Sequence, residues 1–126
     1  MKIEKFEDII AWQLGRELVQ FVYSNLRDCR DYAFKDQMQR ATISITNNIA
    51  EGFGRKGDKE LTRYLKISKG SCLEVRSMLY SALDLGYFDQ KQFNHSFALT
   101  VRIEQTIIKF IQSISIYETK DAGRRT

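Results

Sequence analysis

Proline is absent from this 126-residue chain, histidine occurs once and cysteine twice. Each scarcity excludes something. Without proline, no position has a fixed φ or a missing N–H, so only glycines and polar turn residues remain to stop a helix. Long periodic segments in a proline-free chain predict an all-helical domain. The lone histidine, His95, removes zinc sites that need several histidines. It also removes the helical di-metal centre, which takes two Glu-x-x-His motifs, because position 92 is Gln92 and no second histidine exists. Serine or cysteine nucleophiles would have only His95 as a histidine base, and nothing in the sequence links it to them. No metal and no cofactor are expected, and the chain reads as a non-enzyme.

Cys29 and Cys72 lack Cys-x-x-Cys spacing. Both are expected to be reduced, with Cys72 a small core residue. No apolar run reaches the ~20 residues of a membrane span. The N-terminal MKIEKFEDII carries acids where a signal peptide would be apolar, so a cytoplasmic location without membrane contact is expected.

What is present is helical periodicity. The length suits one domain with a real core. Helices are predicted over residues 7–26, 34–51, 59–85 and 90–117, with 118–126 left as a disordered tail. Gly52 and Gly86 are read as C-terminal stops. Asp58 is read as an N-cap, and Asp89 as another that forms a capping box with Gln92. Connections this short place neighbouring helices antiparallel, so the fold class is all-α, an up-down-up-down four-helix bundle over residues 1–117.

Core stripes follow at i, i+3, i+4, i+7 spacing. They are Ile10, Leu14, Leu18, Phe21 and Val22; Phe34, Met38, Ala41, Ile45 and Ile49; Leu61, Leu65, Ser68, Cys72, Val75, Leu79 and Ala82; and Phe93, Phe97, Ile107, Ile111 and Ile114. Further apolar residues lie off those stripes. The first helix adds Ile9, Trp12, Val19 and Tyr23, the third Ile67 and Met78, and the fourth Leu99, Ile103, Phe110 and Tyr117. A lone bundle needs one apolar stripe per helix, so these second seams predict an interface between copies of the chain.

Charge is concentrated. Residues 55–76 hold seven basic side chains against three acids, an excess equal to the net +4 of the whole chain. Arg55, Lys59, Arg63 and Lys66 fall within ~80° of one another on a helical wheel, opposite Leu61, Cys72 and Leu79. Gly54, Arg55, Lys56, Lys59, Arg63 and Lys66 are therefore the candidate contacts to nucleic-acid phosphates, where glycine-exposed amides and a helix N-terminus would assist. The alternative is a merely solvated face. Gly52-Phe53-Gly54-Arg55-Lys56-Gly57 spells GxGxxG, but a helix precedes it and no strand is visible, so it is not a dinucleotide fingerprint.

A polar stripe runs along the second helix through Gln37, Arg40, Ser44, Asn47 and Glu51, with Asn48 at its edge. Ser71 and Glu74 lie across the turn. The reading is a structural network of Arg40, Ser44, Asn48, Glu51, Ser71 and Glu74, with Arg40 paired to a glutamate, because buried polar groups need partners.

Several pieces together carry a family resemblance. They are Phe6-Glu7-Asp8-Ile9 with Ala11-Trp12-Gln13, Gln37-x-x-Arg40-Ala41 with Ser44-Ile45, Asn48-Ile49-Ala50-Glu51-Gly52, Tyr64-Leu65-x-Ile67, Gly70-Ser71-x-x-Glu74 and Leu85-Gly86-Tyr87. The chain resembles the small bacterial four-helix-bundle proteins encoded by intervening sequences in 23S ribosomal RNA genes, also called ribosomal protein S23-like. The likeness is good over residues 6–87 and loose over the fourth helix. Relatives often place a proline where Thr46 stands and an alanine where Ser68 stands. The resemblance implies an antiparallel bundle, commonly a homopentamer, and no settled function. A group of similar architecture, the accessory proteins of diversity-generating retroelements, is thought to bind nucleic acid as a basic pentamer. The expectation is thus a non-enzymatic homo-oligomer that binds structured RNA or other nucleic acid through the glycine-rich turn and third helix. The alternative is a protein-interaction or assembly scaffold without nucleic-acid binding.

Overall fold

The computed structural model describes the backbone of residues 3–124 and the side chains of residues 3–115. A short 3-10 turn, Phe6–Asp8, precedes four helices: α1 (Ile10–Asn25), α2 (Tyr32–Gly54), α3 (Asp58–Asp84) and α4 (Gln90–Arg124). Among the described residues there is no strand. Each helix packs on its sequence neighbour, and α1 closes the ring against α4, while the diagonal pairs do not pack. The result is the up-down-up-down four-helix bundle that short connections impose.

The helix ends explain the connections. Asp31 caps α2 by accepting the Phe34 N–H at 3.2 Å. Asp89 and Gln92 form the capping box, with reciprocal bonds of 2.8 Å. Gly86 turns the chain after α3 at φ 77°, a left-handed angle that glycine takes without steric cost. Its turn lets the Tyr87 and Phe88 N–H groups both donate to the Ala82 carbonyl. Phe88 is then driven inside as an anchor for the loop. Several bounds differ from the periodic reading. α2 runs past Gly52 to Gly54, and Gly57, not Asp58, occupies the N-cap of α3. α4 continues to Arg124; the side chains of the segment read as a tail lie outside the described residues, as does that of Tyr117.

The α3 stripe is buried along its whole length, from Leu61 to Ala82. At α1 the phase differs. Ile10 is 59% exposed and Ile9 only 2%. The 3-10 turn ends at Asp8, and Ile9 follows in extended backbone, so its side chain enters the core out of helical register.

Several residues of the second seams turn out to be internal. Ile9, Met78, Leu99 and Ile103, expected at an interface between copies, are buried within one chain. The reason is geometric. A helix in a square bundle touches two neighbours, so its buried sector widens to take in two adjacent apolar rows. Trp12, Val19 and Phe110 are half-buried. Of the interface set, only Tyr23 and Ile67 remain exposed.

Ser68 and Thr46 are buried polar residues. The Ser68 hydroxyl is fully buried and donates to the Ile45 carbonyl at 2.8 Å, tying α3 to α2. The Thr46 hydroxyl donates back to the Ile43 carbonyl at 3.0 Å, within the unbroken α2.

Candidate nucleic-acid interface

The turn between α2 and α3 is Arg55-Lys56-Gly57. Gly57 sits at φ 96°, again a glycine conformation. Asp58 and Glu60 occupy the first turn of α3 and already complement its partial positive charge. Any attraction for an anion here therefore comes from side chains rather than from the helix end.

Those side chains divide into two kinds. Arg55 Nη2 donates to Glu51 Oε1 at 3.0 Å, and Arg63 grips Glu60 with bonds of 3.1 and 3.4 Å. Both guanidiniums also lie over the Tyr64 ring, at 5.5 and 4.6 Å from its centroid. The Tyr64 hydroxyl reaches Glu51 at 3.5 Å. The bonds from the glutamates raise the Arg55 and Arg63 pKa values, and the bond from Arg63 lowers that of Glu60. Tyr64 is buried under this lattice and offers no free face to a base. Lys56, Lys59 and Lys66, by contrast, are exposed and have no ion-pair or hydrogen-bond partner among the described residues. Gly54 is exposed beside them. The charged residues predicted from sequence thus share one end of the bundle, but only the lysines are uncommitted.

The polar stripe is not the single network expected. Arg40 is 79% exposed and pairs with Asp36 at 2.8 Å, one helical turn away, rather than with Glu51 or Glu74. Its place on the outer edge of α2 gives a local acid the advantage over a glutamate on the next helix. Glu51 is taken by Arg55, and Glu74 accepts from Gln37 at 3.4 Å. What does join is Ser44, Asn48 and Ser71. The two serine hydroxyls are 2.8 Å apart, and the Asn48 amide donates to the Ser44 carbonyl and hydroxyl at 2.7 and 2.9 Å. Glu51 and Glu74 are not drawn into one site.

A stronger cluster was missed by sequence reasoning. Arg76 bridges α3 to α4, meeting Glu104 Oε1 at 2.8 Å and the Thr100 carbonyl and hydroxyl at 3.1 Å each. The pair is only 20% and 24% exposed. Beside it the Cys72 thiol donates to the same Thr100 carbonyl at 3.2 Å, and burial pushes its pKa up to about 12. Arg76 is therefore a structural cation whose charge is matched inside the bundle. The signal was its i+4 spacing from the core residue Cys72, matched by Glu104 at i+4 from Thr100. At the other end of the molecule, Asp31 accepts the Tyr87 hydroxyl at 2.6 Å, which raises Tyr87 to about 12 and lowers Asp31. Among the described residues no cluster of acids, cysteines or histidine would hold a metal ion, and no helix is long and apolar enough to cross a membrane.

Residues 7–109 match the family described as 23S rRNA-intervening sequence protein. A solved structure from Bacteroides thetaiotaomicron, described as a protein of unknown function from the S23 ribosomal protein family, is similar in fold. Its TM-score is 0.76 at 18% identity, over 81% of this chain and 98% of that one. No curated protein matches.

Proposed function

This chain belongs to the 23S rRNA-intervening sequence protein family, and from that premise we propose that it is a non-enzymatic, self-associating bundle that binds nucleic acid through phosphates. The observation that carries the reading is the placement of charge. The basic excess of residues 55–76 accounts for the net +4 of the chain, and most of it projects from one exposed face at the α2–α3 end. A local basic face on an otherwise balanced protein favours a phosphate-bearing partner. Tyr64 is covered by arginines, which argues against base stacking and for recognition of backbone or shape. Self-association is supported by the exposed Ile67, Leu73 and Tyr80 along α3 and by Tyr23 on α1.

The test is titration of the purified protein with a structured RNA and with duplex DNA at ~150 mM salt. Binding of both tighter than the ~10⁻⁴ M nonspecific limit is expected. Failure to reach that limit with either would leave the assembly-scaffold reading, which the same exposed apolar residues favour. Sedimentation is expected to give several times the 14.8 kDa of one chain; a clean monomer would remove self-association.

A further inference from the structure

We propose that the groove between the first turns of α3 and Ser115 of α4 is the seat of one phosphate group, held by Lys59, Thr62 and Lys66. This rests on the phosphate-binding reading above and narrows it to a single place. The groove has a volume of about 510 Å³ and is lined by Lys59, Glu60, Thr62, Arg63, Lys66 and Ser115.

Its charge is specific. Arg63 is matched by Glu60 across 3.1 Å. That leaves the Lys59 and Lys66 ammoniums, which have no partner among the described residues. The two lysines are two helical turns apart on one side of α3, about 10 Å along its axis. Thr62 lies between them, and its hydroxyl makes no hydrogen bond among the described residues. Lysine stems are long and flexible enough to converge on a group placed over Thr62, whose hydroxyl is a ready donor. A tetrahedral anion there would meet two compact cations and a hydroxyl.

The other basic residues are placed differently. Arg55 is held by Glu51 and Tyr64, and Lys56 lies in the turn, outside the groove lining. A second groove of about 620 Å³, between α2 and α3, makes the contrast. It presents Asp36 and Glu74 against Arg40 alone, a balance that repels phosphate. Of the two, only the α3–α4 groove combines concavity with positive charge that is unpaired among the described residues.

The experiment compares two charge-matched double variants of the full-length protein, Lys59→Gln/Lys66→Gln and Arg55→Gln/Lys56→Gln. All four side chains are exposed, and thermal melts check that both variants fold. Affinity for a duplex oligonucleotide is read by fluorescence anisotropy at ~0.15 M salt. One phosphate neutralised, with a log–log salt slope near −0.9, corresponds to about fivefold in affinity at that salt. The groove pair is expected to weaken binding by that much and the turn pair by about threefold or less. Equal weakening by both, with wild-type binding intact, would overturn the groove seat and leave the nucleic-acid reading standing. Inorganic phosphate and pyrophosphate are titrated in parallel, with amide NMR shifts as the readout. Shifts centred on Thr62 and Lys66 without oligonucleotide binding would keep the seat and overturn the nucleic-acid reading. No shift and no oligonucleotide binding would overturn both.

Discussion

Removing the Arg76 guanidinium is expected to destabilise the bundle more than removing any other single charge described above. Arg76 makes three bonds across the α3–α4 interface, at 2.8, 3.1 and 3.1 Å, and stacks over Phe97 at 5.6 Å. Breaking a fully buried pair costs about 3–5 kcal/mol, whereas an exposed pair is worth about 0–1 kcal/mol. At 20% and 24% exposure the pair lies between those limits but nearer the buried one. Arg76→Met, which keeps the apolar stem, should therefore cost about 2–3 kcal/mol, because Glu104 loses its partner in a partly dry site. Glu104→Gln should cost less, about 1–2 kcal/mol, since Arg76 retains both bonds to Thr100. The double variant should cost less than the two singles added, with a coupling of about 1–2 kcal/mol. Arg40→Met is the control. At 79% exposure, with only Asp36 one turn away, it should change stability by less than about 0.5 kcal/mol. Urea unfolding followed by far-UV circular dichroism gives all four values. A midpoint for Arg76→Met indistinguishable from that of Arg40→Met would refute the reasoning and place Arg76 among solvated surface charges.

Other outcomes follow from local geometry. Cys72 is raised from 9.0 to about 12 by burial, so its folded pKa exceeds its unfolded one. Its contribution is whole below pH 9 and is lost as pH rises towards 12, at about 1.4 kcal/mol per pH unit. Alkaline unfolding should accordingly be shallower in Cys72→Ala than in the wild type; parallel pH–stability curves would contradict this. Tyr87, raised to about 12 by its bond to Asp31, acts with the same sign above pH 10, and Tyr87→Phe should remove that share of the alkaline loss. At Gly52 a Cβ would lie 2.5 Å from the Tyr64 Cβ, an atom fixed to its backbone. Gly52→Ala should part α2 from α3 and cost about 1–3 kcal/mol in urea titration, and a neutral result would mean that the helices separate freely.

The fold was legible where one row of residues decides it. The α3 stripe from Leu61 to Ala82 is regular and buried as its period requires, and the Asp89–Gln92 capping box forms as spelled. Ile9 and Ile10 exchanged roles because the 3-10 turn at Phe6–Asp8 resets the phase before α1, and no periodic pattern carries that. Leu99 and Ile103 looked surplus because one-stripe reasoning allows a helix a single neighbour, whereas α4 packs on both α1 and α3. In the candidate site, the clustering of Lys59, Arg63 and Lys66 on one face was readable from spacing alone. Which cations were already engaged was not. That depended on Glu51 meeting Arg55 one turn along α2, with Tyr64 packed against both arginines. Arg40 and Arg76 show the same limit from both sides. Each is an arginine on an amphipathic helix, and only the register between helices makes one a surface residue and the other an interhelical tie.

If uncommitted lysines at the α2–α3 end meet phosphates, each contact contributes to the salt dependence of nucleic-acid binding. Wild-type protein and the triple variant Lys56→Gln/Lys59→Gln/Lys66→Gln are compared on the same duplex across a salt series. In the wild type, log affinity is expected to fall linearly with log salt. In the triple variant the slope should be flatter by about 0.9 for each phosphate no longer neutralised, or roughly 1–2 per subunit engaged. A triple variant that keeps the wild-type slope would contradict such contacts.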